Sequence, residues 1–156
     1  MQTRWIVLVG LLATLAASHA RAAEDGLVTR PSKYTVAETA DHLEAGLRQA
    51  GATVFARIDH AQSAHDAGLE LHPMVLILFG NPKAGTPLMA QSPSIGIDLP
   101  LKFLVWQDGS GKVFIAFNSA DYLAHTILPR HGITQMPELM KRGVGLADKL
   151  SAAEGK

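Results

Sequence analysis

Apolar and polar positions change period several times along the chain, and each change marks an element. Leu27 to Arg30 is a short β-forming run ended by Pro31. Val36, Ala40, Leu43 and Leu47 then recur at helical spacing, and Glu38, Asp41, Arg48 and Gln49 make the polar face. Thr35 followed by Glu38 has the form of a capping box, and Gly51 that of a C-cap, so Val36 to Ala50 is predicted to be an amphipathic helix. Thr53 to Asp59 is rich in β-formers and reads as a strand, while His60 to Gly68 suits one or two helical turns. Met74 to Phe79 is an unbroken apolar run between Pro73 and Gly80, the composition of a central strand buried on both faces.

Asn81-Pro82 suits the start of a helix, which predicts a short one over Lys83 to Gln91 carrying Leu88 and Met89. Leu101 to Gln107 and Lys112 to Asn118 flank the turn sequence Asp108-Gly109-Ser110-Gly111 and read as a hairpin. Lys102 alternates with Leu101 and Phe103 and is placed on the side opposite to them. Ser119 to Tyr122 opens a short helix, and Met136, Leu139, Met140, Gly143, Val144, Ala147 and Leu150 share one face of a C-terminal helix. Helices between strands, with one clear hairpin, predict an α+β fold. It is a two-layer domain in which a mainly antiparallel, curved sheet of about five strands is covered on one face by the first and last helices.

Composition narrows the class. The chain has 156 residues, 47% hydrophobic and 18% charged, which suits one domain with a real core. Lys+Arg and Asp+Glu are both 14, so no basic excess points to nucleic acid or an anionic membrane. Cysteine is absent, which removes disulfides, thiolate metal sites and a cysteine nucleophile.

The first 22 residues belong to a different pattern. Arg4 precedes an apolar run from Trp5 to Ala17, and Ala20-Arg21-Ala22 has the A-x-A form of a cleavage site. The run is shorter than the about 20 apolar residues that a bilayer core needs. Residues 1–22 are therefore expected to be a signal peptide cleaved after Ala22, leaving residues 23–156 as a single domain in the periplasm or secreted. No later segment is long and apolar enough to span a membrane.

Candidate chemistry is sparse. Phe79 to Met89 carries a strand into a Gly-containing turn and a helix start, where backbone N–H groups and Lys83 favour an anion. Gly80 and Gly85 have the spacing of a P-loop, but Thr86 stands where that loop requires lysine. Asn, Gly and Pro also suffice for a plain tight connection. The histidines of residues 23–156, His42, His60, His65, His72, His125 and His131, show no metal-binding spacing, so a metal site would have to be assembled in space. His60 follows Asp59 at a strand end, where functional side chains often sit. Serines are scattered, with no Gly-x-Ser-x-Gly elbow.

Three blocks together resemble the domain of unknown function 302 family: Ala56 to Ala61, Leu78 to Met89, and Gly96 to Lys102. Val105 to Asp108, the turn to Gly111, and Arg130-His131-Gly132-Ile133 fit it as well. The resemblance implies a compact α+β fold with a curved antiparallel sheet, and a homodimer. It implies no activity and no cofactor, and it attaches no role to its matching polar positions.

The leading functional reading is a non-enzymatic binding or protein-interaction module. His60, Asn81, Lys83, Asp98 and Lys102 are its candidate ligand-binding residues, for a small anionic or polar ligand. Two alternatives stay open: a metal or haem protein using His60 with His131 or His65, and an enzyme with an Asp59–His60 acid–base pair.

Overall fold

The computed structural model describes residues 26–156, so the expected signal peptide and its cleavage point lie outside the described residues. Strands β1 (Leu27–Ser32), β2 (Thr53–Asp59), β3 (Met74–Gly80), β4 (Leu101–Gln107) and β5 (Val113–Asn118) form one sheet in the order β1-β5-β4-β3-β2. Every pairing is antiparallel. The sheet is open, with β1 and β2 at its edges, and the domain is α+β as expected.

Helix α1 (Val36–Gln49) joins β1 to β2, and α2 (His60–Asp66) joins β2 to β3. Helix α3 (Pro82–Gln91) and a 3₁₀ helix (Pro93–Ile97) lie between β3 and β4. After β5 the chain forms α4 (Ala120–Tyr122), a π-helical turn (Leu123–Ile127), α5 (Leu128–Arg130) and the long α6 (Glu138–Glu154).

Local chemistry accounts for most boundaries. The Thr35 hydroxyl accepts from the Glu38 N–H at 3.2 Å, and the Glu38 carboxylate accepts from the Thr35 N–H at 3.0 Å. This reciprocal pair starts α1, and Gly51 at φ 78° ends it. Asn81 caps α3 with Pro82 in its first turn. Strand β1 runs one residue past Pro31, beyond the predicted stop, because an edge strand tolerates a missing N–H.

Removing the cap gives a first prediction. Thr35→Ala is expected to cost about 1 kcal/mol of stability, read by urea denaturation at neutral pH. Hydrogen bonds from the Thr35 backbone and side chain hold the Glu38 carboxyl below its ordinary value. Ser110 and the Lys112 N–H do the same for Asp108, and Lys141 for Glu138. A carboxyl whose folded value is depressed stabilises fully above its unfolded value, and that contribution is lost as pH falls through the folded one. Stability is therefore expected to drop on acidification below about pH 4.5, the ordinary value of Glu38. The Thr35→Ala penalty should shrink there; a penalty equal at pH 7 and in acid would contradict this account.

The core lies between the sheet and two helices. Val75, Ile77 and Phe79 of β3, Phe103 and Val105 of β4, and Val113, Ile115 and Phe117 of β5 point to one face. Val36, Ala40, Leu43 and Leu47 of α1 and Ala147 of α6 cover them. A second buried cluster joins Leu88, Ile95, Leu123, Ile127, Leu128 and Ile133 to Met140 and Val144 of α6. Helix α6 thus serves both clusters and fixes α3 and the 3₁₀ helix beyond the end of the sheet.

The opposite face of the sheet is different. Its register places Ile58, Leu76, Leu104, Ala116 and Thr29 in one row across all five strands. Met74, Trp106, Phe114 and Pro31 form the next row. The large side chains of both rows belong to neither buried cluster. Strand β3 therefore alternates between buried and half-buried residues and is not buried on both faces as its apolar run suggested. Lys102 lies on this second face, opposite Phe103, as its alternation predicted.

Candidate functional site

Beyond the end of β3 a cleft of about 580 Å³ opens between α3, α6, the end of α1 and the start of β4. Its volume is in the range of small-molecule sites. The lining is mostly apolar, and three of its large side chains are partly exposed: Phe55 at 51%, Met89 at 39% and Leu139 at 39%. An exposed cluster of that kind is informative where a single exposed leucine is not.

Sequence features build this shape. A register shift between Val54 and Ala56 places Phe55 at a β-bulge, outside the regular ladder. Gly80 faces that ring: a Cβ there would lie 3.4 Å from Phe55 Cε2, at ordinary contact distance. Asn81 and Pro82 turn the chain into α3, whose Ala84 and Gly85 present small surfaces to the cleft. From α6, Gly143 lets the helix approach β4, where a Cβ would meet Leu101 Cδ1 at 3.3 Å.

Polar groups at the cleft are few. Asn81 lines it, with its Oδ1 accepting from the Lys83 N–H at 2.9 Å and its amide N–H₂ in no hydrogen bond among the described residues. Arg142 of α6 also lines it. Among the described residues no hydrogen bond engages its guanidinium; its charge acts on Glu138, one turn earlier, which is bonded to Lys141 at 2.6 Å.

The five residues singled out from sequence do not form one site. Lys83 is exposed, and the first N–H groups of α3 are already satisfied: Lys83 by the Asn81 side chain, Ala84 and Gly85 by the Asn81 carbonyl at 2.9 and 3.0 Å. The helix start therefore offers no open anion site of the kind its sequence suggested. Lys102 donates from Nζ to the carbonyl oxygens of Asp98 at 2.8 Å and Pro100 at 2.7 Å, closing the turn before β4. Burial lowers its pKa, and the Asp98 charge partly opposes that. His60 lies at the far end of β3, since Asp59 pairs with Val75 whereas Leu101 pairs with Phe79. A strand of that length spans about 20 Å.

The same separation parts His60 from His131, which contacts Asp98 beyond the near end. Among the described residues no group of three or more His, Asp or Glu is arranged to hold a metal ion. The Asp59 carboxylate accepts from the Gln62 N–H at 2.9 Å as the cap of α2, and neither Asp59 nor His60 lines the cleft.

The fold and the blocks around Phe79 to Met89 settle the family. The model of the domain of unknown function DUF302 matches residues 28–152. The chain belongs to this family. A solved DUF302 structure, an uncharacterized conserved protein from Bacillus stearothermophilus, superposes with a TM-score of 0.69 at 20% identity, covering 83% of this chain and 98% of that one. At that identity the likeness establishes the fold. Two curated relatives are 41% identical over 135 residues: Fluoride-specific ion channel FluC 1 of Brucella suis biovar 1 (strain 1330) and Fluoride-specific ion channel FluC 2 of Brucella melitensis biotype 1 (strain ATCC 23456 / CCUG 17765 / NCTC 10094 / 16M). The match covers 84% of this chain, 52% of the first relative and 48% of the second. The chain thus spans about half the length of the curated relatives it matches.

Proposed function

We propose that this DUF302 domain is an exported, homodimeric binding module that takes a small amphipathic ligand into the cleft between α3 and α6. The observation that carries the reading is the cleft itself. It joins partly exposed Phe55, Met89 and Leu139 to the exposed Arg142, whose guanidinium makes no hydrogen bond among the described residues. Apolar walls favour an alkyl or ring body, and a guanidinium at the rim favours a carboxylate or similar anion. The ligand class is therefore a monoanion with an apolar body, where the sequence suggested a small anionic or polar ligand.

Isothermal titration with dodecanoate and with dodecylamine tests this. Dodecanoate is expected to bind, and Arg142→Glu to weaken it by at least about tenfold, which corresponds to about 1.4 kcal/mol. If dodecanoate fails to bind, or the amine binds as well as the acid, the reading is lost.

The homodimer rests on the apolar rows of the open sheet face, with Trp106 and Phe114 stacked at 5.5 Å. Export rests on the N-terminal pattern of Arg4, the apolar run and Ala20-Arg21-Ala22. Ion conduction, named for the Brucella relatives, is not carried over to this chain. Its described residues contain no helix long and apolar enough to cross a membrane, and its five strands form an open sheet.

A further inference from the structure

A second group of side chains, separate from the cleft lining, has the connectivity of an activated hydroxyl. Ser94, in the first turn of the 3₁₀ helix, places its Oγ 2.7 Å from His131 Nδ1. The other ring nitrogen, Nε2, lies 2.6 Å from Asp98 Oδ2. The His131 side chain is only 5% exposed, whereas Ser94 is exposed. The buried ring thus bridges a carboxylate to a hydroxyl that solvent can reach.

The ring is held in place from several sides. The Ser92 hydroxyl donates to the His131 carbonyl at 2.8 Å, tying the 3₁₀ helix to the end of α5. The Arg130 guanidinium lies 3.1 Å from Asp98 Oδ2 and fixes that carboxylate in turn. Its Nε–H also points at His131 Nε2, at 3.2 Å, a longer contact than the 2.6 Å one to the carboxylate oxygen and the one that gives way when Nε2 carries the proton. An ionised carboxylate accepts and cannot donate, so the closer Asp98 selects the tautomer with the proton on Nε2. Nδ1 is then bare and faces the Ser94 O–H. Nucleophile activation needs one bare nitrogen toward the hydroxyl and one N–H toward the carboxylate, whichever ring position serves each role.

We propose that Ser94 is an activated nucleophile, with His131 as its general base and Asp98 as the residue that positions the base. The substrate class is small activated acyl compounds, esters above all, that can reach a surface serine. Ser94 Oγ attacks the carbonyl carbon, forming a C–O bond, while its proton passes to His131 Nδ1. The ester C–O bond breaks, and the alkoxide leaves with that proton. Water then attacks the acyl-serine, giving up a proton to His131, and releases the carboxylic acid as Ser94 regains its hydrogen.

The probe is an alkyl fluorophosphonate, which forms a serine O–P bond and releases fluoride. Labelling is located by peptide mass spectrometry on the folded full domain. Wild type should label at Ser94 at least about 100-fold faster than at exposed Ser110 and faster than the same serine in urea-unfolded chain. His131→Gln and Asp98→Asn should lower the Ser94 rate by at least about 100-fold with folding unchanged by circular dichroism. Asp98→Glu should restore part of it, which a purely structural role would not require. Ser94→Ala should remove the adduct, and Lys33→Ala, exposed just after β1 and apart from both this site and the cleft, should leave it intact. Should a base variant fail to fold, the folded-against-unfolded comparison in wild type decides by itself. Labelling of Ser94 no faster than Ser110, or equal rates in folded and unfolded chain, overturns the proposal and leaves the three residues as a clamp between two loops.

Discussion

Phe103→Ala is expected to cost about 3–5 kcal/mol, the range for deleting a fully buried aromatic ring. Phe103 is 0% exposed at the middle of β4. Its ring stacks on Phe79 with centroids 4.8 Å apart and meets Phe117 edge-on at 5.7 Å. Three strands therefore converge on one side chain, with α1 and α6 over the same face. The cavity left by alanine lies under two helices that are also packed elsewhere, so collapse to fill it is limited. Small domains commonly have about 5–15 kcal/mol in total, so this loss would leave the fold marginal. The control is Phe55→Ala, which removes the same ring from a site that is 51% exposed. It should cost far less stability, and its effect should appear in ligand binding. Urea denaturation of both variants checks the pair. Equal losses would mean that the division between core and cleft is misplaced.

How much of this was legible in the sequence depended on the range of the interaction. The capping box of Thr35 and Glu38, the Asn81-Pro82 helix start and the Asp108 to Gly111 hairpin each involve neighbours within a few residues. Their chemistry is local, and reading it gave the elements correctly. The covering of one face by the first and last helices followed from the apolar spacing of α1 and α6. Periodicity was silent on what an apolar residue faces. Leu139 and Met89 fall at core spacing yet border the cleft, and Met74 to Phe79 reads alike whether its second face meets a helix, another chain or solvent. Interactions between distant segments left no signal. Ser94 and His131 are 37 residues apart, and Asp98 and His131 33, so nothing in their spacing marked them as partners. His60 drew attention because it follows a strand end, but a strand has two ends. The cleft formed at the other one.

If the open sheet face pairs two copies, as proposed, Leu104→Asp should convert that dimer to a monomer. Leu104 is at the centre of the open face, in register with Leu76 on one side and Ala116 on the other. Five strands, each about six residues long, make a face of about 24 by 20 Å. Side-chain relief brings its accessible surface near the about 800 Å² per partner of a standard interface. The face is apolar across four strands in each of the two rows, with Thr29 at the β1 edge and polar Lys102 and Asn118 at one end of it. That is the arrangement of an apolar interface centre with a polar margin. A second copy would meet the same requirement through a two-fold axis, burying Trp106 and Phe114 of both chains. An aspartate at the centre would place two carboxylates across that axis in a desolvated layer, a cost of several kcal/mol per dimer. In the isolated domain the same aspartate stays in contact with water, so the fold should survive. Analytical ultracentrifugation at micromolar concentration should show wild type as a dimer and Leu104→Asp as a monomer. Lys33→Asp, outside the sheet, should leave the dimer intact. A wild type that sediments as a monomer at that concentration would remove the open face as a self-association surface.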